Sequence, residues 1–265
     1  FFFFNDTATT EIYTDRSSAA SDVYKSQDET GIPIILQAGP SCRAHTPIPI
    51  LGKMFRYLAS QTKTNICCHV DHGYTLDECY EGIDSGFTSV MFDGSKLTLK
   101  ENIKISKKIA SRAHKYNISI EGEIGFVGYD NGKISEGTNI EDAVTFANKS
   151  NIDAMAISVG NTHLQTSKKA SIDFNKINLI EAKTKIPLVL HGSSGIPLEQ
   201  RKKLARKTKV AKLNIGTEIR MTFGQALRKN LKNNPKTYDR LQLLKPTIKD
   251  LTKVTKKIIK QIGPN

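Results

Sequence analysis

The chain has 265 residues and a hydrophobic fraction of 38%, enough for one substantial core or two small ones. No run of eighteen apolar residues is present, which excludes an ordinary membrane-spanning helix. The net charge of +13 rests on 30 Lys against 9 Arg, scattered without interleaved aromatics, so it argues against a nucleic-acid reader and suits a phosphorylated, acidic small molecule.

The first stretch, residues 1–27, does not share the pattern of the rest. Asn5–Thr14 has neither helical nor strand period and resembles the in-frame translation of a common sequencing adapter, with Phe1–Phe4 as a run of T before it. Residues 1–27 are therefore expected to be a non-native, adapter-like segment that has replaced the native start. They should supply no proper first strand, with at most a partial pairing by Phe1–Phe4. Phe1–Phe4 is also too short for a signal-peptide core.

From Thr30 onward, apolar runs alternate with helical patterns. Ile32–Leu36 reads as a strand, Gly39-Pro40 as a turn, and Pro49–Gln61 as a helix. Asn65–Val70 is a strand that runs into Asp71-His72-Gly73, and Thr75–Asp84 is the helix after it. Thr88–Phe92 is a strand ending in Asp93-Gly94-Ser95. Leu99–Tyr116 is an amphipathic helix with Ile103, Ile105, Ile109 and Ala113 near one face. Ile118–Gly122 is a strand ending at Glu123, and the glycine-punctuated stretch Gly125–Gly137 has the length of a mobile lid. Ile140–Ser150 is a helix, and Ala154–Ser158 is a strand leading to Gly160-Asn161-Thr162-His163. Asp173–Thr184 is a helix with Asp173 as N-cap. Leu188–Leu190 is a strand ending in His191-Gly192-Ser193-Ser194-Gly195, followed by a helix over Leu198–Lys207. Val210–Leu213 is a strand leading into Asn214-Ile215-Gly216-Thr217, and Glu218–Leu231 is a helix. Helical pattern resumes at Tyr238, breaks at Pro246 and runs to Ile262.

These are seven strand–helix units without a linker, so residues 28–265 form one domain with a parallel sheet and added C-terminal helices. An open doubly wound sheet and a closed barrel both fit the alternation. Polar residues at six strand ends favour the barrel, because only a closed ring aims them all at one axis. The expected fold class is α/β, a TIM (β/α)8 barrel incomplete at its N-terminus because the first strand has been replaced. Cys42, Cys67, Cys68 and Cys79 form no CxxC pair and no disulfide framework, so a reducing, cytoplasmic setting is expected.

The chemistry centres on Val70-Asp71-His72-Gly73, which puts a carboxylate beside an imidazole at a strand's C-terminal end. His163 and His191 repeat the placement. One histidine at a strand end is ordinarily a hydrogen-bonded structural residue. Three in one register suit a zinc centre that keeps a coordination position for substrate.

Taken together, Val70–Gly73, Gly86–Ser95, Glu121–Gly125, Gly160–His163, His191–Gly195 and Asn214–Glu218 resemble the class II, metal-dependent ketose-bisphosphate aldolases, with fructose-bisphosphate aldolase as the type. The resemblance spans about Glu29 to Pro246. It implies reversible aldol cleavage of a ketose bisphosphate to dihydroxyacetone phosphate and an aldehyde. His72, His163 and His191 would hold a zinc ion that acts as a Lewis acid and stabilises the enediolate. Asp71 would exchange the proton of the C4 hydroxyl. Asp93 and Glu123 would line an inner position for the metal or for a second divalent or monovalent cation, or would orient the imidazoles. Gly192, Ser194, Asn214 and Thr217 would cradle the phosphate next to the ketone. The expected partner is a small phosphorylated sugar, with no nucleic acid and no membrane, and the intact parent is expected to be a homo-oligomer, dimer or tetramer.

The departures from the family pattern concern the substrate's far end. Leu164 stands where the family usually has Gly, Ser167 where it has Lys (with Lys168 adjacent), and Gly216 where Asp is frequent. Phe126–Asp130 lacks the paired glutamates that some members use, which leaves Asp130 as a weak candidate for moving the enediolate proton. Fructose 1,6-bisphosphate, tagatose 1,6-bisphosphate and a phosphorylated deoxy-keto acid all stay open. A Schiff-base mechanism is disfavoured, because Lys212 lies in a run of basic residues. The contrasting alternative is a truncated, inactive aldolase-like fragment or a basic binding protein, and metal content separates it from the enzyme.

Overall fold

The structure is a computed structural model, and it describes residues 9–13 (backbone only), 30–130, 132, 135 and 137–263. Eight parallel strands close into a barrel in sequence order. They are β1 (Thr9–Tyr13), β2 (Ile34–Ala38), β3 (Ile66–Gly73), β4 (Ser89–Phe92), β5 (Ser119–Ile124), β6 (Ala154–Ile157), β7 (Leu188–Leu190) and β8 (Val210–Ile215). Ten helices belong to the described residues: α1 (Pro40–His45), α2 (Ile48–Ser60), α3 (Leu76–Asp84), α4 (Leu99–Ala113), α5 (Ile140–Ser150), α6 (Phe174–Lys183), α7 (Leu198–Lys207), α8 (Thr217–Asn233), α9 (Arg240–Leu244) and α10 (Thr247–Ile262).

Helix starts follow local chemistry. Thr75 and Thr98 each close a capping box with the glutamate three residues on, Glu78 and Glu101, and Asn139 and Asp173 accept from backbone N–H groups at the starts of α5 and α6. Gly39-Pro40, expected as a turn only, opens α1, with Pro40 in the first helical turn where its missing N–H costs nothing.

The barrel is the expected one, and the difference lies at its seam. Residues 1–27 were expected to supply no proper first strand, with at most a partial pairing by Phe1–Phe4; the pairing is made by a later stretch, Thr10–Tyr13 with Ile34–Gln37 and Thr9–Ile12 with Lys212–Ile215. The edges of β2 and β8 are therefore covered. Parallel pairing is made by backbone groups alone, and two flanking edges with unsatisfied N–H and C=O groups will accept any segment able to extend. Thr, Ile and Tyr extend readily. Phe1–Phe4 and residues 14–29 lie outside the described residues.

Strand periodicity divides the interior in two. Outward side chains, such as Cys68, Val70, Val90, Phe92, Ile120, Met155, Leu190 and Leu213, join the helices in the main apolar core. Inward positions are of another kind: a small apolar cluster of Ala154, Ala156 and Val189, with Gln37, His69, Asp71, Ser89, Glu121, Glu123, Lys212 and Asn214, all buried. The barrel axis is thus polar along much of its length, and the site sits on top of that polar column.

Candidate active site

β3 delivers Asp71 and His72, both buried. His72 has φ +51°, a left-handed conformation that non-glycine residues rarely adopt. Arg43 on α1 accounts for its persistence. One guanidinium nitrogen donates to the carbonyls of Ala38 (2.8 Å) and Asp71, and the other to the carbonyl of His72 (2.9 Å). The carbonyls at the end of β3 are turned to one cation, and the imidazole is turned to the axis. Gly73 is required next, because a Cβ there would lie 2.8 Å from both the Cys79 sulfur and the Met91 carbonyl oxygen.

The three histidines converge. Ring centroids are 4.6 Å apart for His72 and His191, 5.4 Å for His72 and His163, and 5.7 Å for His163 and His191. One ring nitrogen from each lies within 4.8 Å of the other two, and His72, Asp93 and Glu123 form a second such group. The hydrogen-bond network assigns the protons. His72 donates from Nδ1 to Asp93 Oδ2 at 2.8 Å, and its Nε2 faces His191 Nδ1 at 2.9 Å. His191 donates from Nε2 to Glu121 Oε1 at 2.9 Å, which leaves its Nδ1 lone pair aimed at the cluster.

Charge follows from this geometry. Burial pulls the His72 pKa down, but Asp71, the hydrogen bond to Asp93, and Glu123 outweigh it and leave it at about 10. Burial, then repulsion from His72, holds His163 and His191 well below the usual range, so both are neutral with lone pairs to give. Burial, then neighbouring Asp93, pushes the Glu123 carboxyl well above the usual range. Glu123 Oε2 has no hydrogen-bond partner among the described residues and lies 3.7 Å from His72 Nδ1 and 3.8 Å from His191 Nδ1. A buried carboxylate oxygen of this kind, beside three convergent imidazoles, fits a divalent cation.

Below this cluster lies a group that sequence reasoning missed. Lys212, 1% exposed, donates to Glu121 Oε2 and to His69 Nε2 (3.2 Å), and His69 Nδ1 pairs with Ser89 Oγ at 2.8 Å. Lys212 lies in a basic run of the sequence, yet it is fully desolvated. Its charge is paired with Glu121 inside the barrel. The tyrosines at the mouth were also missed: Tyr129 stacks on His163 at 5.0 Å, and Tyr74 lies 6.3 Å from His72.

Other expected residues separate. Asn214 is buried with Nδ2 turned to Asp71 Oδ1 (3.4 Å) and Gln37 Oε1 (3.5 Å), beside the carboxylate expected to move a proton. Gly192 has φ +62°, and a Cβ there would lie 2.3 Å from the Thr162 carbonyl oxygen. Ser194 Oγ accepts from the backbone N–H of Glu218 at 3.2 Å, which joins the turn after β7 to the first turn of α8, where Thr217 is the first residue. Asp130 is exposed, and its backbone N–H donates to the His163 carbonyl (3.1 Å). His163 in turn donates its N–H to the Gly128 carbonyl at 2.8 Å, so the stretch expected as a lid is tied by backbone to a site histidine. Leu164, where a glycine was expected, has φ +58°.

The chain is similar to several aldolases. The family described as Fructose-bisphosphate aldolase class-II matches residues 5–265. A 6-phospho-5-dehydro-2-deoxy-D-gluconate aldolase from Shouchella clausii is 36% identical over 201 residues, covering 75% of this chain and 68% of that protein. A fructose-bisphosphate aldolase from Staphylococcus aureus strain N315 is 33% identical over 202 residues, covering 75% and 70%. The crystal structure of the YdjI aldolase from Escherichia coli K12 superposes with a TM-score of 0.83 over 97% of this chain and 92% of that one, at 24% identity, which supports the fold.

Proposed function

Because this chain belongs to the class II fructose-bisphosphate aldolase family, we propose that it is a zinc-dependent lyase that reversibly cleaves a ketose phosphate to dihydroxyacetone phosphate and an aldehyde. The observation that carries the proposal is the convergence of His72, His163 and His191 on the barrel axis with Asp71 beside them.

His72, His163 and His191 would hold the metal, which when bound supplies an electrophile for the ketone oxygen. The rest is the work of the chain's own side chains. Asp71, fully buried with Oδ1 3.9 Å from His72 Nε2, takes the proton of the C4 hydroxyl as the C3–C4 bond breaks, and returns it in condensation. Asn214 donates toward Asp71 Oδ1 and fixes the direction of the carboxylate. Glu121 holds His191 in the tautomer that presents Nδ1 to the cluster. Asp93 does the same for His72 through Nδ1. Gly192, Ser194 and Thr217 meet the phosphate near the ketone, where the α8 dipole points its positive end.

The names of the two relatives support this substrate class. Fructose 1,6-bisphosphate and 6-phospho-5-dehydro-2-deoxy-D-gluconate each carry a phosphate on the carbon next to the ketone. Both leave the same three-carbon ketone phosphate on cleavage. They differ at the far end, one a phosphate and the other a carboxylate. The test is cleavage over a panel of both compounds and tagatose 1,6-bisphosphate, with and without chelator. Metal-dependent release of dihydroxyacetone phosphate from at least one is expected. Undiminished cleavage in excess chelator, with product trapped on a lysine by borohydride, would show Schiff-base chemistry instead.

A further inference from the structure

Behind the turn after β7, three segments meet on two acceptors. Arg201, on α7 and only 2% exposed, donates from Nη2 to the Ser194 carbonyl at 2.7 Å and to Glu218 Oε2 at 2.8 Å. Lys168, from the connection after β6, donates to the same two atoms at 2.8 and 2.6 Å. Glu218 in the first turn of α8 returns a backbone N–H to Ser194 Oγ. Two cations thus face one carboxylate within this group, which leaves a positive surplus beside the α8 N-terminus.

The two cations are unequal. The Lys168 side chain is about half exposed, at 47%, and its hold on Ser194 costs the ordering of a long flexible chain. Arg201 is already fixed by burial. Its Nε has no hydrogen-bond partner among the described residues, so the fold does not fully satisfy this guanidinium for the sake of stability. What the guanidinium does achieve is to draw the Ser194 carbonyl oxygen and the Glu218 carboxylate onto itself. Both are negative groups that would otherwise compete with an anion at the turn.

We propose that Arg201 is a positioning residue for the substrate phosphate: it pins the Ser194 carbonyl and Glu218, so that the turn after β7 and the start of α8 form a single anion cradle. This rests on the reading of that turn as the phosphate site. Arg201 acts through Ser194 and Glu218 and does not touch the reacting carbons. It therefore governs how tightly the phosphorylated end is held, not the rate of the bond-breaking step.

The test uses the full chain, loaded with zinc, as wild type, Arg201→Met and Arg201→Lys. Readouts are KM and kcat for whichever ketose phosphate the wild type cleaves, inhibition by inorganic phosphate, and the thermal shift that inorganic phosphate gives the chelator-treated protein. Arg201→Met is expected to raise KM and the phosphate inhibition constant about tenfold as the turn loosens around the phosphate, with kcat within about threefold. The phosphate-induced thermal shift should shrink with it. Arg201→Lys, which keeps the charge without the fork, should recover part of the loss, and it keeps the proposal testable if Arg201→Met fails to fold. A lower melting temperature with unchanged KM and phosphate inhibition would overturn the inference and leave the aldolase assignment standing. A wild type that neither cleaves ketose phosphates nor responds to phosphate would overturn both.

Discussion

Replacing Lys212 by Met tests the polar column under the site. Met keeps the length and most of the volume of the lysine stem, so the packing term should stay under about 1.5 kcal/mol. The charge term is larger. Lys212 and Glu121 have side-chain exposures of 1% and 0%, so no water can replace the lost partner. Removing one member of a buried pair costs about 3–5 kcal/mol, because the remaining charge is left without compensation. His69 also loses its 3.2 Å contact to Nζ. The assay is urea unfolding followed by far-ultraviolet circular dichroism, on chelator-treated protein so that altered metal binding adds nothing. The variant should lose about 3–5 kcal/mol, and Lys212→Met with Glu121→Gln should recover more than half, since the amide leaves no buried charge. A single-variant loss below about 1 kcal/mol, or a double variant no better than the single, would refute the claim that this ion pair holds the interior together.

Asp71→Ala should keep its metal, measured by elemental analysis, and lose about 10²–10⁴-fold in kcat, the range of a positioned acid–base group. Loss of the metal as well would make Asp71 part of the binding shell. Leu164→Gly removes a left-handed strain of about 1–2 kcal/mol and adds about 0.5–1 kcal/mol of backbone entropy cost. The variant should therefore be stabilised by up to about 1.5 kcal/mol in urea unfolding, whereas Leu164→Val should destabilise, since a branched Cβ tolerates that conformation least. Burial pushes the Glu218 carboxyl up, but Lys168 and Arg201 outweigh it and hold it below the usual carboxylate range. A depressed folded pKa gives stability that is present above the unfolded pKa and lost as pH falls through the folded one. The stability gap between wild type and Glu218→Gln should thus be full at pH 7 and close only in acid, below about pH 4.3. A gap that does not change with pH would refute the ion pair's contribution.

How much of this was legible in the sequence depends on where each partner lies. The strand ends carrying His72, His163 and His191 were readable because apolar runs and turn glycines mark them locally. The ring could be inferred because those ends must share an axis. His69, Glu121 and Lys212 were not readable as a set. Lys212 is 91 positions from Glu121 and 143 from His69, and each sits between outward apolar neighbours that make its strand look like ordinary core. Arg43 was hidden by a proline read as a turn that instead starts α1. Strand β1 was missed because its pairing is a matter of backbone, and no apolar alternation announces it. Asn214 lay at the expected strand end, but the direction of its amide, toward Asp71, was set by a buried neighbour and not by spacing.

Cleavage should depend on one metal centre formed by the three strand-end histidines. The most direct measurement is zinc content and ketose-phosphate cleavage on the same samples, for wild type and for His72→Ala, His163→Ala and His191→Ala, before and after chelation and after zinc is restored. About one zinc per wild-type chain is expected, as a three-histidine catalytic site requires, with activity that falls and returns in step with it. Each single variant should lose both together. Full zinc content in all three variants, or wild-type cleavage that persists after the metal is stripped, would contradict it.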